Sequence, residues 1–340
     1  MVCKYFWFFD LNPNKGRLTA SDVSKIVLLV ALFIFQVILP TLHLVQVAKV
    51  YDDISSSEDI ADLIGGAGFL LICYKTMYNN EHFNRVFREL TDTKRFGKPT
   101  TFDAAVKYCR LVSTGFLLYT CVTPIFYAFV SVRESRHGTC MKHQMETTKE
   151  LYCISVYPIW LPFKVDTSVI ILSQMFSAWQ LYTPSAQICS SIYEEIILLL
   201  SHMDLLSSRL RNVFYVRETK KRSRILGHCA EYHSHIVKLA LEVNELHMNI
   251  TGHMALIWAV SMGCISNQLL SRSTAMAEKL YCTPWYLGTI EEQKIIMFMI
   301  MRAQIPLTLS AKPFGNYEYP LAITIAKTAY SYLTVLQGTT

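Results

Sequence analysis

Three long stretches without a charged residue constrain this chain more than any other feature. Residues 26–46, 111–130 and 168–193 contain 21, 20 and 26 residues without a Lys, Arg, Asp or Glu. A hydrocarbon layer about 30 Å thick is crossed by roughly 20 helical residues, since each residue adds about 1.5 Å. Buried helices of a soluble core seldom remain apolar on every face for this length. The stretches therefore predict a helical membrane protein.

Three weaker apolar segments add to these stretches. Segment 60–78 carries charges near its ends, segment 254–270 has only 17 uncharged residues, and segment 319–337 contains Lys327. Together the six segments predict an all-α fold, a polytopic membrane helix bundle with about six spans. Only 17% of the residues are charged and 52% are hydrophobic, a composition that excludes disorder and is unusual for soluble domains.

The distribution of Lys and Arg predicts the orientation of the chain. Segments 1–25, 79–110 and 199–253 together hold 19 of these residues, whereas loops 47–59 and 131–167 hold 6. Basic residues concentrate on the cytoplasmic side of membrane proteins. We therefore expect a multi-pass protein of the plasma membrane with a cytoplasmic N-terminus. The net charge of +6 is explained by this asymmetry, so no nucleic-acid partner is predicted.

The predicted cytoplasmic segments have the periodicity of amphipathic helices. Apolar residues recur every three or four positions in 80–93, 196–213 and 225–246. The apolar positions are Phe83, Val86, Phe87 and Leu90 in the first segment, Leu200, Met203, Leu206 and Leu210 in the second, and Ile236, Leu239, Leu241 and Val243 in the third. We expect these helices to pack on one another as an intracellular anchor. The alternative is that they lie on the membrane surface.

The C-terminal third carries a series of specific motifs. These are Tyr281-Cys282-Thr283-Pro284-Trp285-Tyr286, then Met301-Arg302-Ala303-Gln304-Ile305-Pro306-Leu307, and a closing run from Lys327 to Leu336. Upstream are Pro158-x-Trp160-x-Pro162-Phe163 and Cys229-x-x-x-His233-x-x-Ile236. In order, spacing and context these motifs resemble the insect odorant receptor family, and the resemblance covers essentially the whole chain.

The resemblance implies a seven-helix fold with the N-terminus inside and the C-terminus outside. It implies a ligand-gated, non-selective cation channel without enzymatic activity and without a cofactor. An odorant-binding subunit would bind a small volatile odorant and assemble in the membrane lipid with a shared odorant co-receptor as a hetero-tetramer. The implied parts are a membrane portion with the odorant pocket (1–198), cytoplasmic anchor helices (199–253), and a sixth span, anchor helix and pore-lining last helix (254–340).

Specific residues follow from this resemblance. It assigns subunit contacts to Tyr281, Trp285, Arg302 and Pro306, and a hydrophobic gate to Val335, Leu336 and Gln337. An odorant pocket requires apolar and aromatic walls, which the outer halves of the helices supply in Phe69, Tyr119, Phe126, Tyr127, Met175, Phe176 and Trp179. The alternative for each of these residues is core packing or lipid contact.

The sequence departs from the family at one place. Only 20 residues separate 243–246, which resembles the start of the fifth span, from 267–270, which resembles the end of the sixth. A hairpin of two spans needs about 40 residues, so about one helix is missing. Counted as one span, 254–270 would place 271–318 outside the cell. The apolar face of 295–300 instead predicts an intracellular helix over 281–305 beside the anchor, with 254–270 distorted or displaced.

The sequence also contains a pair of cysteines and a cluster of histidines, and it leaves two alternative functions. Cys140 and Cys153 share a predicted outer loop and are candidates for a disulfide. His228, His233 and His235 lack a complement of Cys or carboxylates, so they predict packed helix residues rather than a metal site. A small-molecule transporter is disfavoured because no internal repeat is seen. A non-conducting or truncated regulatory variant remains open because of the missing helix.

Overall fold

The computed structural model describes residues 20–50, 57–137 and 165–338, and the predicted Cys140–Cys153 pair lies outside these ranges. The described residues form helices joined by short turns, which confirms the all-α fold class. The helices are α1 Ala20–Phe33, a π-helical turn Ile34–Ile38, α2 Leu39–Val50, α3 Ser57–Tyr78, α4 Asn80–Thr91, α5 Phe102–His137, α6 Thr167–Val213, α7 Thr219–Tyr281, a 3₁₀ turn Trp285–Leu287, α8 Ile290–Ala303 and α9 Tyr319–Gly338.

The predicted spans all fall within helices. The first span is interrupted by the π turn, where the backbone N–H of Leu39 bonds to the carbonyl of Ile34. This turn immediately precedes Pro40, which has no N–H to donate. Among the described residues, one helical stretch, Phe102–Val130, is long and apolar enough to cross a membrane, and Leu63–Thr76 and Ser168–Trp179 are shorter apolar helices.

The chain divides into two compact units. The first contains α1 to α3 with residues 113–188, and its helix α3 packs against the π turn and α2. The second contains residues 81–112 and everything from residue 189 onwards, so it holds α7, α8 and α9. Helices α5 and α6 each contribute residues to both units: α5 places residues 102–112 in the second unit and the rest in the first, and α6 is divided between residues 188 and 189.

In the second unit, the helices that the sequence predicts as an anchor pack on one another, while their cytoplasmic location stays a prediction. Val86, Phe87 and Leu90 of α4 are buried, as are most of the periodic apolar positions of α6 and α7. Leu200 is half-buried, and Leu241 is the clear exception, because its side chain is 53% exposed. It follows Ile236 by five residues and is therefore rotated about 140° away from it around the helix. The buried side of this part of α7 consists of the predicted positions Ile236, Leu239 and Val243 together with Tyr232.

Helix α7 reverses its direction part of the way along its 63 residues. If it were straight, Arg222 and Ser273 would lie about 77 Å apart. Both nevertheless contact the short segment 292–307: Arg222 pairs with Glu292 at 2.9 Å, and Ser273 Oγ accepts a hydrogen bond from the N–H of Leu307 at 3.0 Å. The axis of α7 must therefore fold back on itself.

Contacts with α6 locate this reversal. Glu195 bonds to His247 at 2.6 Å and Asp204 pairs with Arg272 at 3.1 Å. These partners are separated by about 13 Å along α6 but by about 38 Å along α7, if both are straight. The hydroxyl of Tyr193 donates to the carbonyl of Ser261, so the reversal falls within residues 248–260. We call residues 219–247 the first arm and residues 261–281 the second arm.

The reversal and helix α8 agree with the expectation for the shortened region. Residues 254–270 do not run on as a straight extension of the first arm, because the chain turns back within 248–260. The sequence has about one helix too few between 243–246 and 267–270, and the turn within 248–260 is where the chain is shortened. Helix α8 packs against α7, as predicted for 281–305, although residues 281–289 form a turn and the helix itself begins at Ile290.

Candidate functional site

A buried carboxylate fixes the start of α8 to the start of α7. Glu292 is fully buried, and its carboxylate lies 2.9 Å from the guanidinium of Arg222. Ser223 Oγ donates to the same carboxylate at 2.8 Å. The backbone N–H of Thr289 donates to it at 2.8 Å, while Thr289 Oγ1 accepts from the N–H of Glu292. This reciprocal pair of hydrogen bonds is a capping box at the start of α8. The side chain of Glu292 thus caps α8 and also pairs with the first turns of α7.

The electrostatics of this contact favour the ionised carboxylate. Burial on its own raises the pKa of Glu292, but the hydrogen bonds from Arg222, Thr289 and Ser223 outweigh burial and hold the pKa below its ordinary value. The contact is also tightly packed. A Cβ atom built on Gly288 would lie 3.0 Å from Glu292 Oε2. Only glycine leaves the carboxylate in this position undisturbed.

Helix α8 is apolar on two opposite sides. One side, with Ile296, Met299 and Ala303, is buried against the rest of the unit. The other side is exposed and continues into the turn that precedes the helix. We call this surface the outer α8 face; it consists of Tyr281, Tyr286, Leu287, Ile290, Met297, Phe298, Met301 and Ile305. Contiguous exposed apolar surface of this kind marks an interaction site.

The predicted contact residues lie on or beside the outer α8 face. Tyr281 is exposed and its ring lies 6.4 Å from that of half-buried Trp285. Pro306 is exposed and Arg302 is half-buried. Their assignment to a subunit interface remains a prediction. The sequence motifs did not identify the more exposed apolar residues of α8, Ile290 (72% exposed) and Phe298 (65% exposed). A helical wheel of 290–303 shows this second apolar side.

Arg302 also borders a small cavity in the second unit. The cavity of about 20 Å³ is lined by His233, Ser273 and apolar residues of α6, α7 and α8, and this volume holds a single water. Burial, with a smaller effect from Arg302, lowers the pKa of His233 to about 4. The other two histidines of the predicted cluster, His228 and His235, pack with their rings against Phe96. No group of three metal-binding side chains occurs in the described ranges.

Among the described side chains of the last helix, α9, only those near its beginning are packed. A Cβ atom on Gly263 of the second arm would lie 3.0 Å from the Cβ of Ala322, so the two backbones approach closely there. From Ile323 to Ser331 almost every side chain is exposed, including Lys327. The predicted gate residues, Val335, Leu336 and Gln337, lie in the last turns of α9, where side chains fall outside the described part of the structure.

The predicted odorant-pocket residues are spread over the first unit. Phe69 of α3 is buried, whereas Tyr119 and Phe126 of α5 are exposed. Phe176 and Trp179 of α6 are brought together, with ring centroids 6.1 Å apart. Met175 is half-buried beside them, and the side chain of Tyr127 lies outside the description. The pocket therefore stays a prediction.

Comparisons with known proteins agree with these features. Residues 253–330, which cover the second arm, α8 and most of α9, match the family model described as 7tm Odorant receptor. No curated protein matches the chain in sequence. Among solved structures, the insect olfactory receptor OR5 from Machilis hrabei superposes with a TM-score of 0.73 at 11% identity, covering 98% of this chain and 97% of that one.

The same receptor in complex with eugenol superposes with a TM-score of 0.71 at 12% identity, covering 98% of this chain and 94% of that one. At such low identity the superpositions establish the fold, a polytopic helical bundle, over essentially the full length. The family model supplies the sequence evidence where the motifs are densest. Residues 253–330 of this chain are therefore similar in sequence to the odorant receptor family model, and the fold of the whole chain is similar to that of the solved insect olfactory receptor.

Proposed function

We propose that the chain is the odorant-sensing subunit of a ligand-gated, non-selective cation channel, assembled with a shared odorant co-receptor as a hetero-tetramer. The outer α8 face is the observation that carries this proposal. Its apolar residues lie on a cytoplasmic segment in the proposed orientation, where lipid cannot cover them. A partner subunit would remove this apolar area from water, at roughly 25 cal/mol for each Å².

The exposure of α9 gives independent support for assembly. The exposed apolar side chains that the structure describes between Ile323 and Tyr330 of this 20-residue helix require neighbours in a membrane channel. In a symmetric assembly, copies of this helix would surround a central pore. Lys327 is costly in hydrocarbon, by about 2.5–3.5 kcal/mol, so it would face protein or water. Val335, Leu336 and Gln337 are then the proposed gate, which closes by dewetting.

The proposed ligand is a small, mostly apolar volatile. The solved receptor bound to eugenol supports this class, since eugenol is a small aromatic molecule. In this chain we propose that Phe69, Tyr119, Phe126, Tyr127, Met175, Phe176 and Trp179 line the pocket. Aromatic and aliphatic walls with few polar groups suit such a ligand.

The orientation proposed from the basic residues places α4, both arms of α7 and α8 in the cytoplasm. Exposed native Cys282 follows directly after the second arm and reports on this side. In a background without the other cysteines, a membrane-impermeant thiol reagent should label it only after the cells are permeabilised. Strong labelling in intact cells would show that residues 271–318 are outside.

A second candidate, a non-conducting regulatory subunit, is favoured by the reversal in α7. The turn within 248–260 shortens the hairpin that would otherwise stand beside α9. Such a subunit would assemble through the outer α8 face but leave α9 incompletely supported at the pore.

Co-expression with the co-receptor separates these functions. An odorant-evoked cation current that differs in ligand profile from the co-receptor alone supports the channel subunit. Assembly that lowers or abolishes the current identifies the regulatory variant. Substrate flux without a channel current would instead identify a transporter and refute both. Phe126→Ala should change the ligand profile without changing assembly, with Tyr215→Ala, another exposed aromatic, as the control.

A further inference from the structure

The start of α7 carries a serine within a run of basic residues. Ser223 follows three consecutive basic residues, Lys220, Lys221 and Arg222, and precedes Arg224. Both lysines and Arg224 are exposed, and Ser223 is half-buried. Protein kinases choose substrates by such charge patterns, because acidic side chains on the kinase attract basic residues beside the acceptor hydroxyl.

The hydroxyl of Ser223 is placed where a phosphate would act. It donates to Glu292 at 2.8 Å, beside the Arg222 guanidinium. The carboxylate is fully buried, and a Cβ built on Gly288 would lie 3.0 Å from its Oε2. A phosphate on Ser223 would put a negatively charged group where the hydroxyl now donates to this carboxylate.

The hydroxyl can nevertheless reach a kinase. Residues 216–218 before α7 are not helical, and Ser223 lies in the first turns of the helix, where the backbone has fewest internal hydrogen bonds. Helix ends open at low free-energy cost compared with the core. Opening of this end breaks the contact with Glu292 and presents the basic run in an extended form.

We propose that Ser223 is a phosphorylation site for a basic-directed serine/threonine kinase, and that its phosphate detaches the start of α8 from the start of α7. The Ser223 oxygen attacks the γ-phosphorus of ATP, its proton passes to the kinase's catalytic base, and ADP leaves. The product carries a charge of about −1.5 to −2. It repels the carboxylate of Glu292 and competes for the guanidinium of Arg222, which binds phosphate readily.

This inference rests on the proposed cytoplasmic orientation, because ATP and such kinases are inside the cell. Its consequence would reach the outer α8 face, since that face belongs to the helix whose start is released. Phosphorylation would therefore loosen the surface through which we propose that the subunits assemble.

The test uses the full chain in detergent, the catalytic subunit of the cyclic-AMP-dependent kinase and ATP, with mass spectrometry. We expect phosphate on Ser223, none in Ser223→Ala, and unchanged labelling in Ser208→Ala, which alters an exposed serine that no basic residue precedes. Hydrogen exchange of residues 290–303 should speed up at least tenfold in the phosphorylated chain and in Ser223→Glu, but little in Ser223→Ala. Absence of phosphate on Ser223, or unchanged exchange after phosphorylation, overturns the proposal.

Mass spectrometry of phosphate on Ser223 in intact cells distinguishes a failure of the proposed phosphorylation site from a failure of the proposed orientation. Phosphate on Ser223 in intact cells supports both. Phosphate in detergent with none in cells that express an active form of the same kinase overturns the cytoplasmic placement of α7, while the chemistry of the site stands.

Discussion

Replacing Arg222 by Met tests whether the buried ion pair holds α8 in place. Methionine keeps much of the stem of the side chain but removes the guanidinium. That group makes bonds of 3.0 and 3.1 Å from Nε and 2.9 Å from its terminal nitrogen to Glu292. The carboxylate is left buried with Thr289 and Ser223 as donors. Removing one partner of a buried pair costs about 3–5 kcal/mol, because an uncompensated charge remains.

Hydrogen exchange measures this cost locally. If α8 exchanges through release from α7, a cost of 3–5 kcal/mol corresponds to exchange faster by roughly 10²- to 10³-fold or more, since 1.4 kcal/mol is tenfold. The matched control is Arg95→Met, which breaks the pair with Glu231 at 2.6 Å, where both side chains are more than half exposed. That change should alter the stability by less than about 1 kcal/mol.

A double-mutant cycle decides the interpretation. Glu292→Gln keeps the shape of the side chain and an oxygen for the capping box, so the double variant with Arg222→Met should be less destabilised than the sum of the two single changes. A coupling energy of about 2 kcal/mol is expected for a contact this well bonded. Simple additivity, or an Arg222→Met variant indistinguishable from Arg95→Met, would refute the argument that this pair positions α8.

Three further predictions follow from the packing of the second unit. The pKa of His233 is about 4 in the folded state and near 6.5 in the unfolded state. The stability contributed by neutral His233 should therefore be complete above pH 6.5 and fall by about 3 kcal/mol as the pH drops from 6.5 to 4. In a thermal or chemical denaturation series at different pH values, His233→Gln should reduce this loss of stability. Gly263→Val should separate the second arm from α9 and cost about 1–3 kcal/mol, whereas Gly227→Ala, with open space around it, should be neutral or stabilising; equal effects would contradict the close approach. Trp285→Ala should lower co-purification with the co-receptor more than it changes odorant selectivity, and the opposite pattern would move Trp285 out of the interface.

Periodicity predicted the helices well because burial and lipid both select apolar residues at regular spacing. The helices over the three long apolar stretches, α4 with its buried Val86 and Leu90, and the continuation of α6 beyond residue 193 could all be predicted from the sequence. The reversal in α7 could not, because 248–260 carries no Pro, and a single glycine, Gly252, lowers helix stability by only about 1 kcal/mol relative to Ala and does not by itself predict a reversal. The reversal is evident from two contacts with α6. His247 and Arg272, 25 residues apart in α7, contact Glu195 and Asp204, which are only nine residues apart in α6.

The contact between the starts of α7 and α8 could be predicted only in part. The motif around Trp285 lies directly before α8, while the assignment of its residues to a subunit interface stays a prediction. The role of Glu292 depends on Arg222, 70 residues earlier, and no local pattern records such a pairing. The Thr289–Glu292 spacing is the usual signature of a capping box, so the start of α8 was readable, whereas the burial of its carboxylate was not.

The reversal in α7 also bears on how the chain is inserted as it leaves the ribosome. The insertion machinery alternates the direction of successive apolar segments, so loss of a single crossing would turn every later segment around. A helix that folds back on one side of the bilayer removes crossings two at a time. In the proposed orientation, with four predicted crossings before α7 and none inside it, α9 would still start from the cytoplasm and point outward. Shortening within 248–260 can therefore be tolerated during biosynthesis in a way that deletion of any one of the first four spans cannot.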